Sequence, residues 1–132
     1  MINPDNFIKA IKDNKINFIS GVPDSLLKNL TNRISVKFKN HIISTNEGSA
    51  VSLAIGHYLS TKEPAIVYLQ NSGLGNIINP IASLAHPKVY GIPIILIIGW
   101  RGEIKNLKQI PDEPQHKKQG QITTKQLKIL DI

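Results

Sequence analysis

Apolar positions in this chain alternate between a helical rhythm and short unbroken runs. Phe7, Ile8 and Ile11 share one helical face behind Asn3 as a cap and Pro4 at the first helical position, and Asn14-Lys15 ends that helix. Residues 16–19 (Ile-Asn-Phe-Ile) read as a short strand bounded by Gly21 and Pro23. Asp24-Ser25 predicts a cap for a second helix, whose Leu26, Leu27 and Leu30 lie on one side. Residues 41–44 form the next strand. The helical rhythm returns over 47–60, with Ala50, Val51, Ala54, Ile55 and Tyr58 facing inward, and Thr61-Lys62-Glu63-Pro64 stops it. Residues 65–69 are so continuously apolar that both faces of that strand should be covered. Ile77, Ile78, Ile81, Leu84 and Ala85 mark another helix, in which Pro80 must either make a kink or lie in the first turn. Residues 93–98 are the most apolar strand. A polar loop is expected from Gly99 to Gln121, with Thr123-Thr124 capping a last helix.

Strands that alternate with helices in this way predict an α/β fold, a doubly wound parallel sheet with helices on both faces. Ligands of such sheets bind at the carboxyl ends of the strands. Four loops leave those ends: 21–25, 45–47, 71–76, and 100 onward to His116. Each carries glycines or polar residues that a plain connection does not need. The chain is organised around residues 44–50 (Ser-Thr-Asn-Glu-Gly-Ser-Ala), where a carboxylate, Glu47, stands at a strand-to-helix junction. Local chemistry gives Glu47 two readings, a ligand-facing acid or the partner of Ser44 in a capping box. The glycine loop 71–76 has neither the Gly-Lys-Ser/Thr ending of a phosphate loop nor the spacing of a dinucleotide fingerprint, and by itself reads as a turn.

With 132 residues and a hydrophobic fraction of 41%, one folded domain spanning 1–132 is expected. The chain has no cysteine, which removes disulfides, thiolate zinc sites and a cysteine nucleophile together. No apolar run approaches a membrane span, and the first residues lack the basic start and apolar core of a leader, so a cytoplasmic protein without membrane contact is expected. The net charge of +7 comes from scattered lysines, concentrated locally only at 105–108 and 117–118. With few aromatic residues there is no stacking platform, and no nucleic-acid partner is expected. His41, His57 and His86 are spaced for no metal site and read as structural.

Taken together, the four loops resemble the pyrimidine-binding domain of thiamine diphosphate-dependent 2-oxo acid decarboxylases. Within that family the chain is most similar to phosphonopyruvate decarboxylase, with the alpha subunit of sulfopyruvate decarboxylase next. The resemblance covers nearly the whole chain. It rests on residues 21–25 (Gly-Val-Pro-Asp-Ser), 46–50 (Asn-Glu-Gly-Ser-Ala), 70–76 (Gln-Asn-Ser-Gly-Leu-Gly-Asn), 90–93 (Tyr-Gly-Ile-Pro), 99–103 (Gly-Trp-Arg-Gly-Glu) and 112–116 (Asp-Glu-Pro-Gln-His). The last two motifs point to the phosphonopyruvate branch. The resemblance implies that Glu47 contacts N1′ of the aminopyrimidine and shares a proton with it, so that the cofactor can lose its C2 proton. It implies that Asn71, Ser72, Gly73, Leu74 and Asn76 belong to the loop beside the cofactor. It also implies that Asp24 and Ser25 reach the substrate and assist proton transfer, and that His116 is an acid/base or substrate contact. Arg101 and Lys117 are expected at the phosphonate, because a doubly charged anion favours such partners. The implied reaction is the decarboxylation of 3-phosphonopyruvate to phosphonoacetaldehyde and CO2, with thiamine diphosphate and Mg²⁺.

The chain departs from the family in one respect. It has no Gly-Asp-Gly segment, which in the family anchors the diphosphate through magnesium in a second domain. It also stops where relatives continue into another strand. A diphosphate-binding domain or subunit is therefore an expected partner, and the metal is not expected on this chain. Small residues on the helix from Glu47 (Gly48, Ser49, Ala50, Ser52, Ala54, Gly56) lead to the expectation of a homodimer or higher oligomer. A sulfonate substrate and a non-catalytic solitary pyrimidine-type domain stay open as alternatives.

Overall fold

The computed structural model describes residues 3–132. Met1 and Ile2, which the leader argument used, lie outside the described residues. Helix α1 (Pro4–Asp13) starts as expected, with Asn3 accepting from the Asp5 N–H at 2.9 Å. It ends in a Schellman turn: Lys15 is left-handed (φ 58°), its N–H donates to Lys12, and the Ile16 N–H donates to Ile11 at 3.1 Å. That turn corrects the first strand. Ile16 packs on Ile11 as the hydrophobic contact of the cap, and β1 is Ile19–Gly21, not residues 16–19.

The remaining elements are α2 (Lys28–Lys37), β2 (His41–Ile43), α3 (Glu47–Thr61), β3 (Ala65–Gln70), α4 (Leu74–Pro80), β4 (Ile94–Gly99), a hairpin β5–β6 (Ile104–Lys105 and Lys108–Gln109), and α5 (Pro114–Ile129). Four parallel strands run in the order β2-β1-β3-β4, with registers Ile19↔His41, Ile19↔Ile66 and Ala65↔Ile94. Successive residues of β3 face opposite cores. Ala65, Val67 and Leu69 pack with α3 and α4, while Ile66 and Tyr68 pack with α1 and α2. Each large aliphatic side chain fully buried here contributes about 1.5–3 kcal/mol. Gly21 is required beside Tyr68, because a Cβ there would overlap the tyrosine ring and carbonyl. Pro80 ends α4, and the chain continues as a π-helical turn over Ile81–Ala85, which accommodates the missing donor.

The last third of the chain differs from the sequence expectation. The segment expected to be a polar loop holds the hairpin, whose turn residues Asn106 (φ 50°) and Leu107 (φ 62°) are both left-handed as a type I′ turn requires. Helix α5 begins at Pro114 rather than at Thr123, with Glu113 as the N-cap. Thr123 is buried inside it and bonds back to the Gln119 carbonyl at 2.7 Å. Proline at the first helical position explains the earlier start.

The chain passes from β1 outward to β2, then crosses back over β1 to β3. The switch point therefore lies between β1 and β3, and the loops after those two strands flank it.

Candidate active site

Asp24, in the loop after β1, is buried, with 6% of its surface exposed. Its Oδ1 accepts from Gln70 Nε2 at 3.0 Å, across the switch point. Gln70 is the last residue of β3, and its Oε1 accepts from Ser72 Oγ at 2.8 Å. Asp24 Oδ2 is buried without a partner and lies against Gly99, where any Cβ would overlap it. Asp24 was expected to cap the following helix, but its side chain makes no capping bond, because it is turned toward β3. Ser25 is exposed at the mouth of the same loop.

Glu47 is the first residue of α3. Asn46 takes the cap, accepting from the Ser49 N–H at 2.9 Å, and Ser44 Oγ is buried with no partner. The capping box between Ser44 and Glu47 therefore does not form, since the cap lies two residues later than that motif needs. Instead, Glu47 Oε2 accepts from Asn76 Nδ2 at 2.7 Å. The carboxyl group rests on Gly73, where an added Cβ would collide with it, and Gly48 lets the helix start approach the Asn76 carbonyl. Glu47 Oε1 makes no hydrogen bond among the described residues.

The other residues of the glycine loop divide by role. Asn71 is fully buried. Its amide donates to the Arg101 carbonyl and to Thr123 Oγ1, both at 2.9 Å, and its Oδ1 accepts from the Arg101 N–H at 3.1 Å. Both amide hydrogens are thus spent on fastening the loop after β3 to the loop after β4 and to α5. Leu74 is fully buried in the core against α3, while Ser72 and Asn76 are exposed.

Beyond β4, Arg101 forms a two-pronged pair with Asp112, Nε to Oδ2 at 2.8 Å and Nη2 to Oδ1 at 2.7 Å, and its Nη1 lies 3.3 Å from Ser25 Oγ. Asp112 also accepts from His116 Nδ1 at 2.9 Å and from the N–H groups of Gly102 and Glu113. The guanidinium, above all, holds the Asp112 carboxyl far below the usual carboxylate range; its own burial opposes this, and His116 and the two backbone donors reinforce it. The same bond raises Arg101. Gly102 (φ 62°) passes under the start of α5, where a Cβ would strike the His116 carbonyl, and Gly120 is needed against the Gly102 carbonyl in return. Lys117 is exposed on α5. Arg101, Ser25 and His116 are therefore brought together around Asp112, with Arg101 partly committed to that carboxylate.

Gln70 and Asp112 were given no role in the sequence reading, although both stand in its motifs. The i,i+4 spacing of Asp112 and His116 was the available signal; it was hidden because the segment read as a loop. Among the described residues no group of three or more His, Asp or Glu side chains is placed to hold a metal ion, and no helix is long and apolar enough to cross a membrane. The residues present fit an aminopyrimidine ring. They offer a pinned carboxyl with one oxygen free, a glycine surface beneath it that any side chain would fill, and an orphaned buried carboxylate oxygen at the neighbouring loop.

Comparison with known proteins shows the family. Residues 4–129 match the family described as thiamine pyrophosphate enzyme, N-terminal TPP binding domain. The sulfopyruvate decarboxylase subunit alpha of Methanococcus maripaludis is 40% identical over 127 residues, covering 94% of this chain and 70% of that protein. The phosphonopyruvate decarboxylase of Streptomyces viridochromogenes is 36% identical over 133 residues, covering 100% of this chain but only 32% of that protein. The crystal structure of benzoylformate decarboxylase from Polynucleobacter necessarius superposes with a TM-score of 0.65 at 22% identity, over 74% of this chain and 18% of that one, and shares the fold.

Proposed function

This chain belongs to the thiamine pyrophosphate enzyme family as an N-terminal TPP binding domain, and from that premise we propose that it supplies the pyrimidine-facing half of a 2-oxo acid decarboxylase site. One observation carries the reading: the Glu47 carboxyl stands at the carboxyl edge of the sheet, pinned by Asn76 on one oxygen and open on the other. Thiamine diphosphate, when bound, supplies the electron sink through which a 2-oxo acid loses CO2. The chain's own residues hold and move protons around it. Glu47, its carboxyl resting on Gly73, would share a proton with the pyrimidine ring nitrogen. Ser72 and Asn76 would border the ring, Asn71 and Leu74 keep their loop in place, and the exposed Ser25 would face the substrate with Asp24, its Oδ2 buried against Gly99, assisting proton transfer from behind it. His116 exchanges a proton with the substrate, while the N–H groups of Arg101 not engaged by Asp112, together with Lys117, meet its anionic tail.

The substrate we favour is 3-phosphonopyruvate, on the strength of the motifs 99–103 and 112–116. The second reading is sulfopyruvate, supported by the larger share of the alpha subunit that the chain spans and by its higher identity. In both, the diphosphate and its Mg²⁺ are held by a diphosphate-binding domain or subunit; relatives named as alpha subunits are in keeping with such a partner. Residues 4–129, which match the family, are read as one pyrimidine-type domain, with β4 at the edge of its sheet. A cytoplasmic location accords with the lack of cysteine.

The test is reconstitution with a diphosphate-binding chain, thiamine diphosphate and Mg²⁺, assayed on both acids. Turnover of one acid assigns the substrate. No turnover of either would sink the decarboxylase reading, and complex formation without turnover would identify a non-catalytic pyrimidine-type domain.

A further inference from the structure

The hydrogen bonding around Asp112 is more specific than an ion pair requires. Oδ1 accepts from Arg101 Nη2, His116 Nδ1 and the Glu113 N–H, and Oδ2 accepts from Arg101 Nε and the Gly102 N–H. Apart from His116, every partner is an obligatory donor: two guanidinium N–H groups and two backbone N–H groups. A carboxylate so surrounded carries no proton of its own. The hydrogen between Oδ1 and Nδ1 therefore belongs to the imidazole, and a neutral imidazole has only one. Its Nε2 makes no hydrogen bond among the described residues. We propose that Asp112 is the positioning residue of this site: it fixes His116 as the Nδ1–H tautomer and so leaves Nε2 as the nitrogen that exchanges a proton with substrate.

The local fold explains why the pair is rigid. Pro114 fixes the first turn of α5, Asp112 sits just ahead of the Glu113 cap, and His116 follows one helical turn later. The Gly102 backbone closes over the same turn, at a distance only glycine permits. Unconstrained histidine favours the Nε2–H form, so the predicted tautomer is the less common one and is diagnostic. The role of Nε2 in proton exchange rests on the decarboxylase reading above; the tautomer itself does not.

The test is a long-range ¹H–¹⁵N correlation spectrum of the full chain labelled at histidine, recorded above the pH at which its imidazoles titrate. His116→Gln assigns the resonance by its disappearance. The expected result is a protonated Nδ1 and a bare Nε2 at His116, reverting to protonated Nε2 in Asp112→Ala. Protonated Nε2 in the unsubstituted chain overturns the inference, as does a tautomer that Asp112→Ala leaves unchanged. Because Asp112 also fastens Arg101 and Gly102, Arg101→Gln serves as a second variant: it keeps Asp112 and His116 and must keep the Nδ1–H form. The spectrum needs neither cofactor nor substrate. An inactive reconstituted enzyme with the predicted tautomer refutes the function alone, and an active one with the other tautomer refutes this inference alone.

Discussion

Asn76 holds Glu47 through a single bond of 2.7 Å, and that bond joins the start of α3 to the start of α4. The amide can donate as well to a glutamine as to a carboxylate, so charge at residue 47 is separable from structure. Glu47→Gln is expected to keep the far-UV spectrum and the thermal midpoint of the native chain. In the reconstituted enzyme it should lower turnover by about 10²–10⁴-fold, the usual share of general acid–base catalysis. Full activity in that variant would remove Glu47 from the chemistry.

Gly73 and Gly75 provide an internal control. A Cβ at Gly73 collides with the Glu47 carboxyl, whereas one at Gly75 meets nothing within 4 Å. Gly73→Ala should destabilise the chain by about 1–3 kcal/mol, as overpacking does, and weaken cofactor binding. Gly75→Ala should be neutral or stabilising. Urea midpoints of the two variants compare them directly, and equal midpoints would show that the glycine surface is not needed.

The Asp112 carboxyl is depressed in the folded chain, chiefly by Arg101. A carboxyl depressed by folding adds stability above its unfolded value near pH 4, and that stability disappears as the pH falls toward the folded value. The urea midpoint of the native chain should therefore exceed that of Asp112→Asn at pH 6, and the gap should narrow steadily as the pH falls below about 4. A gap that stays constant with pH would mean that the carboxylate charge contributes nothing.

His41 behaves in the opposite chemical sense. Burial lowers it, and its ring bonds Tyr68 Oη at 2.9 Å and Ser35 Oγ at 3.3 Å. The unfolded chain takes up a proton near pH 6.5 before the folded one does, so stability should fall as pH drops below about 6.5. His41→Gln should flatten that part of the profile. An NMR titration placing His41 above 6.5 would contradict this account.

Gly56 sits in the middle of α3, and nothing lies within 4 Å of a Cβ placed there; Leu53 and Leu59 on the same helix are 38% and 48% exposed. In a monomer Gly56→Ala should raise stability by about 0.5–1 kcal/mol. If this face packs against a second copy, Gly56→Trp should shift sedimentation toward monomer at micromolar concentration. A single monomeric species before and after the change would defeat the expected homodimer or higher oligomer.

The sheet was legible because its signals are local. The unbroken apolar run of β3, the cap at Asn3, the stop of α3 ahead of Pro64 and the four loop positions follow from residue type and spacing. What was illegible depends on contacts distant in sequence. Pro114 sets the start of α5, but the seat of the helix is fixed by Gly120 against Gly102 and by Asn71 reaching Thr123, pairs that no local window contains. The same holds for Asp24, which looked like a cap and instead spends its oxygen on Gln70, forty-six residues away. The position of Glu47 was readable; the reason it is not a capping-box residue was not, because Asn46 competed for the same helix end and won.

The order β2-β1-β3-β4 also fixes when the site can exist during refolding. The two inner strands become neighbours only after α2, β2 and α3 have all been traversed, so Ile19 and Ile66 must meet by closing a long loop. Parallel pairing of that kind is slow, because the loop-closure entropy is lost before the contact forms. The Asp24–Gln70 bond spans the seam that closes in that step. Recovery of ligand binding after dilution from denaturant should therefore lag behind recovery of helical signal, and Gln70→Ala should speed unfolding more than it slows refolding.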